Sequence, residues 1–115
     1  MDKQKVDAFF NALIDRTKRD EVRWDGVHIV NVGSEVAEIA DFDRSFYAKV
    51  GSGEVSLIMG NDGQVTCYVK SDLFTLTQSF GEPDNPVLLR LYNIVYTHKP
   101  QPFEKFINSI IDGTD

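Results

Sequence analysis

Between Arg44 and Phe80 the apolar residues recur with a period of two, and glycine turns cut the run into pieces of strand length. Ser45–Val50 runs into Gly51-Ser52-Gly53, and Glu54–Met59 runs into Gly60-Asn61-Asp62-Gly63. Gln64–Ser71 and Leu73–Phe80 follow, with Asp72 between them. Val55, Leu57 and Met59 share one side of their strand, Val65, Cys67 and Val69 one side of the next, and Phe74, Leu76 and Phe80 one side of the last. Turns this short join antiparallel neighbours, so the pattern predicts a β-meander with one face buried.

The flanks have a different period. Val6, Phe9, Phe10, Leu13 and Ile14 make a single stripe on a helix expected over residues 3–19, with Asp2 as its cap and Arg16, Lys18 and Arg19 complementing the dipole of its last turn. Val22 and Trp24, then Val27–Val30, suggest two short strands joined at Asp25-Gly26. Residues 33–43 support either one or two helical turns begun by Ser34, carrying Val36, Ile39 and Ala40, or an ordered loop. After the break at residues 81–86, Asn85 as cap and Pro86 as first helical residue open a helix with Leu88, Leu91 and Val95 on one stripe and Leu89, Tyr92 and Tyr96 beside it, ending near Thr97. Pro100 and Pro102 precede a last helix with Phe103, Phe106, Ile107, Ile110 and Ile111 in register and Gly113 at its end. The expectation is one α+β domain over residues 1–115: an antiparallel meander of about four to six strands, with one N-terminal and two C-terminal helices packed around a single core.

Three sets of residues are carried together along this order: Leu13 and Thr17 leading into Val22-x-Trp24, Ser45-Phe46-Tyr47-Ala48 opening a strand, and Leu88-Leu89-x-Leu91-Tyr92 before an apolar final helix. The combination resembles small uncharacterised bacterial α+β proteins built as a helix, a β-meander and C-terminal helices. The resemblance implies the fold and no activity.

Charge narrows the classes of partner. Eighteen acidic residues against twelve basic give a net charge of −6, and an acidic surface repels phosphate, so nucleic acid is not an expected partner. No apolar run approaches the roughly 20 residues that span a bilayer, and Met-Asp-Lys-Gln-Lys is not followed by the apolar stretch of a secretory signal, so no membrane partner and a cytoplasmic setting are expected. Cys67 is the one cysteine, which leaves no intrachain disulfide or thiolate cluster. His28 and His98 lack a second ligand at metal-binding spacing, and Asp41-Phe42-Asp43 lacks the glycine and closing glutamate of a calcium loop. No metal, cofactor or catalytic residue is assigned. Gly51-Ser52-Gly53 joins two strands, so it reads as a hairpin turn and not as a phosphate loop.

The charge is unevenly placed. Residues 21–43 hold Glu21, Asp25, Glu35, Glu38, Asp41 and Asp43 against Arg23 alone, a net −5 of the chain's −6. Carboxylates interleaved with Val36, Ile39 and Phe42 suit a docking surface for a basic protein, charge steering the encounter and apolar groups holding it. Glu35, Glu38, Asp41 and Asp43 are therefore the candidate partner-binding residues of a non-catalytic module: an immunity-type or antitoxin-type inhibitor, a chaperone or an adaptor. The same residues also read as an ordinary solvated loop. A second reading is a small-ligand binder with a pocket between sheet and helices near Trp24, Asp25 and His28, for which Trp24, Phe46, Tyr47, Tyr68, Phe74 and Tyr92 are the candidate aromatic lining. A third, ranked last, is acid–base catalysis by His28 with Asp25. The apolar stripe of the last helix and a free sheet edge are compatible with a homodimer as well as with a monomer.

Overall fold

A computed structural model describes residues 2–27, 34–71, 77–98, 110, 111 and 113. Helix α1 spans Lys3–Lys18, strand β1 Asp25–Gly26, and the single-turn helix α2 Ser34–Ala37. A 3₁₀ turn at Phe42–Arg44 leads into β2 (Phe46–Val50), β3 (Gly53–Met59), β4 (Val65–Ser71) and β5 (Thr77–Gly81), and helix α3 covers Pro86–His98. All five strands pair antiparallel in the order β1-β2-β3-β4-β5. This is the expected α+β meander. The last expected helix falls mainly on residues outside those described; Ile110 and Ile111 have helical backbone, and Gly113 takes the left-handed conformation at φ 71°.

The local signals explain most boundaries. The Asp2 carboxylate accepts the Lys5 N–H at 2.8 Å and caps α1 as expected. Gly51 has φ 59° at the first position of the two-residue turn closing β2 onto β3, where an L side chain would be strained. Asn85 precedes Pro86 as expected, and its carbonyl accepts the Leu88 N–H, while its side-chain amide donates to the Gly81 carbonyl and ties the helix to the end of β5.

One expectation fails. Asp25-Gly26 is not a hairpin turn: it is itself the edge strand, with Asp25 opposite Tyr47 and Gly26 opposite Phe46. In isolation Asp-Gly favours a turn, but here pairing to β2 holds it extended. The remainder of the second expected strand, residues 28–30, lies outside the described residues.

Register decides what each face buries. Phe46, Ala48, Val55, Leu57, Met59, Val65 and Cys67 point to the helices and meet Phe10, Leu13, Ile14, Leu88, Leu91 and Val95 in the main core. Phe80, opposite Cys67, stands edge-on to Phe10 with ring centroids 5.8 Å apart. Trp24 is buried in the same core, and its indole N–H donates at 3.0 Å to the Thr17 hydroxyl, which donates at 2.7 Å to the Leu13 carbonyl. The opposite face is not left to water. Ile58 is 2% exposed there and packs with Val27 and Ala40, flanked by Val36, Phe42, Tyr47 and Tyr68. The sheet thus carries a second, smaller apolar cluster beneath the segment that leads into β2.

That segment rejoins the sheet through an interrupted ladder. The Asp41 N–H donates to the Met59 carbonyl at 2.8 Å and the Asn61 N–H to the Ile39 carbonyl at 2.8 Å, so residues 39–41 pair with the end of β3. The 3₁₀ turn then lifts the backbone away, and Ser45 fills the break. Its hydroxyl donates to the Asp41 carbonyl at 2.7 Å and accepts the Met59 N–H at 3.0 Å, at 1% exposure. Removing it strands the buried Met59 N–H, at a cost of about 1–3 kcal/mol, while the Asp41 carbonyl keeps the Arg44 N–H at 3.1 Å. Ser45→Ala is expected to lower the unfolding free energy in urea by about 1–3 kcal/mol, and a loss below about 0.5 kcal/mol would contradict this role.

Candidate functional site

The second face of the sheet holds a cleft of about 320 Å³, its floor formed by Ile58, Thr66 and Tyr68 of β3 and β4. Glu38 and Ile39 form one wall, and the β3–β4 turn, with Gly60, Asn61, Asp62 and Gln64, forms the other. Two backbone facts fix the walls relative to each other. The Asn61–Ile39 hydrogen bond joins them, and the turn is closed by the Gly60 N–H on the Gln64 carbonyl at 2.8 Å. Asp62 locks the turn by accepting the Gln64 N–H at 3.0 Å. A Cβ at Gly60 would come within 2.5 Å of the Asp62 carboxylate and displace the side chain that locks the turn.

The acidic candidates divide by role. Glu35, Glu38 and Asp43 are exposed. Asp41 is half-buried, and its carboxylate accepts the Asp43 N–H at 3.2 Å as the cap of the 3₁₀ turn, so its side chain does structural work. Among the described residues the ion pairs are Arg19–Glu21 at 3.0 Å and Arg23–Asp25 at 3.5 Å, both well exposed. Neither involves a carboxylate of the 34–44 segment. Ile39 stands among them at 56% exposure on the rim of the cleft.

The position of this segment is also held from the helix side. The Tyr92 hydroxyl of α3 donates to the Arg44 carbonyl at 2.6 Å, and its ring lies 5.8 Å from that of Phe46. Burial pushes the Tyr92 phenol above its ordinary value, and the Arg44 charge draws it partly back.

The residues expected near a sheet–helix pocket are not gathered around one. Trp24 is packed in the main core, Asp25 is exposed on the edge strand with Arg23, and His28 lies outside the described residues. Phe46 and Tyr92 are likewise core residues. Sequence reasoning named Glu38 and Ile39, and Tyr68 as an aromatic for a sheet–helix pocket, but missed the rest of the cleft, whose walls come from stretches some twenty residues apart. Among the described residues no three histidine, cysteine, aspartate or glutamate side chains converge as a metal site. No helix among them is long and apolar enough to cross a membrane.

Comparison of the chain with protein-family models, curated proteins and solved structures finds no match. The site is therefore read from its own geometry.

Cys67 is fully buried on the helix-facing side of β4, and burial pushes its thiol up to about 12 from an ordinary 9.0. A thiol reagent at pH 8 is expected to leave the folded protein unmodified and to titrate one equivalent after unfolding in urea; labelling of the native protein within minutes would contradict the burial. The unfolded thiol ionises above its ordinary value while the folded one stays protonated to about 12. Stability should consequently fall as pH rises through that window, and Cys67→Val should flatten this part of the profile.

Proposed function

We propose that this protein is a non-catalytic binding module that recognises a basic protein through the face built by residues 34–44 and the β3–β4 turn. The observation that carries the reading is Ile39, more than half exposed on a cleft rim beside Glu38 and flanked in sequence by Glu35 and Asp43, carboxylates that are not paired to a cation among the described residues. Unpaired carboxylates of one sign raise the local concentration of a cationic partner and speed its approach. An apolar group at their centre supplies the surface whose burial slows dissociation. The backbone beneath is held by pairing to β3, by the Ser45 hydroxyl and by Tyr92, so little conformational entropy would be lost on docking. An inhibitor, a chaperone or an adaptor would each use such a face, in a cytoplasmic setting.

The test reverses charge without disturbing the fold. Asp41 is left intact because it caps the 3₁₀ turn, and Glu35→Lys, Glu38→Lys and Asp43→Lys are combined. Each reversal should cost roughly 1 kcal/mol of binding, together about a hundredfold in affinity. Immobilised wild type should retain a protein from lysate of the source organism and release it at high salt; the triple variant, with an unchanged circular dichroism spectrum, should not retain it. Equal retention by the two proteins, or none by wild type, would overturn the assignment.

A further inference from the structure

The cleft beside Ile39 has a lining suited to one kind of side chain. We infer that it receives an arginine side chain from the basic partner, an inference that rests on the binding-module reading and specifies its anchor. At about 320 Å³ the space stands at the small end of ligand sites, where a single long side chain fits. Among the described residues its lining holds two carboxylates, Glu38 and Asp62, and no lysine, arginine or histidine. Among the described residues neither carboxylate has an ion-pair partner, and Asp62 satisfies only the Gln64 N–H within its own turn.

The rest of the lining distinguishes arginine from other cations. Ile39, Ile58 and Tyr68 provide an apolar and aromatic surface along which an aliphatic stem can lie. Residues able to accept hydrogen bonds line more than one side: Glu38 on one wall, Asn61, Asp62 and Gln64 on the other, and Thr66 on the floor. A guanidinium presents five donors in a planar fork and stacks on aromatic rings, whereas an ammonium is a compact, strongly hydrated point charge. The wall-to-wall hydrogen bond between Asn61 and Ile39 holds the backbones of the two walls together before anything binds.

The experiment titrates the full ¹⁵N-labelled chain with the peptide acetyl-Gly-Gly-Arg-Gly-Gly-amide and follows backbone amide shifts. Shifts should concentrate at Ile39, Asn61, Gln64, Thr66 and Tyr68. The citrulline peptide, neutral but nearly the same shape, should bind about tenfold more weakly, as should the arginine peptide to Glu38→Gln, because each loses a charge-assisted hydrogen bond. Glu38 is exposed, so that variant keeps the fold. A lysine peptide that binds as tightly would overturn the arginine assignment. Shifts confined to residues 34–37 and 41–44 would overturn the cleft as the anchor while leaving the acidic docking face standing. No shift with any peptide would overturn the inference, and protein capture by wild type against the charge-reversed variant would still judge the docking face on its own.

Discussion

Strand β3 is buried on both sides, and that double burial organises the molecule. Its odd-numbered apolar residues, Val55, Leu57 and Met59, meet the helices, while Ser56 and Ile58 are buried on the other face. One chain can cover both faces only by passing around an edge of the sheet, and β1 is where it does so. Trp24 goes to the helix side and Val27 to the other, on opposite sides of a strand only two residues long. Short as it is, β1 is fastened at both ends by buried side chains, with Trp24 held to α1 through Thr17.

The segment after β1 is thereby committed to the second face, and its composition follows from that duty. Val36, Ala40 and Phe42 turn inward onto Ile58 and Tyr68, so the intervening residues must face water. Those residues are the carboxylates and Ile39. A charged outer layer is ordinary for such a cover, and Ile39, 56% exposed, adds an apolar group to it. The backbone pairing at Ala40 and Gly60 places this layer against the β3–β4 turn and leaves the cleft between them. The proposed docking face is thus a by-product of how the sheet hides its second side, with its backbone pairing inherited from the sheet.

The sequence was most readable where structure is local. Helix α1, its Asp2 cap, the bounds of β2 to β4 and the buried stripe of α3 follow from periodicity and turn chemistry within a few residues. The second apolar cluster had a weaker signal: Leu57-Ile58-Met59 is three apolar residues in a row, which strict alternation does not need and two-sided burial does. Asp25-Gly26 was misread because its extended form depends on a partner twenty residues away. The exposed acids were legible from charge counting, but the separate role of Asp41 shows only once the 3₁₀ turn beneath it is seen. The cleft has no motif at all, because its lining is assembled by register and not by spacing.

The claim on which the functional account rests is that residues 39–41 are fixed to the end of β3 in the free protein. Amide hydrogen exchange of Asp41, Met59 and Asn61 tests it directly, since these three N–H groups bond to the Met59 carbonyl, the Ser45 hydroxyl and the Ile39 carbonyl. The account predicts that all three exchange slowly and together, protected to a similar degree as neighbouring amides of β3 and β4. Exchange of Asp41 and Asn61 at the rate of an unstructured chain, with β3 still protected, would contradict it.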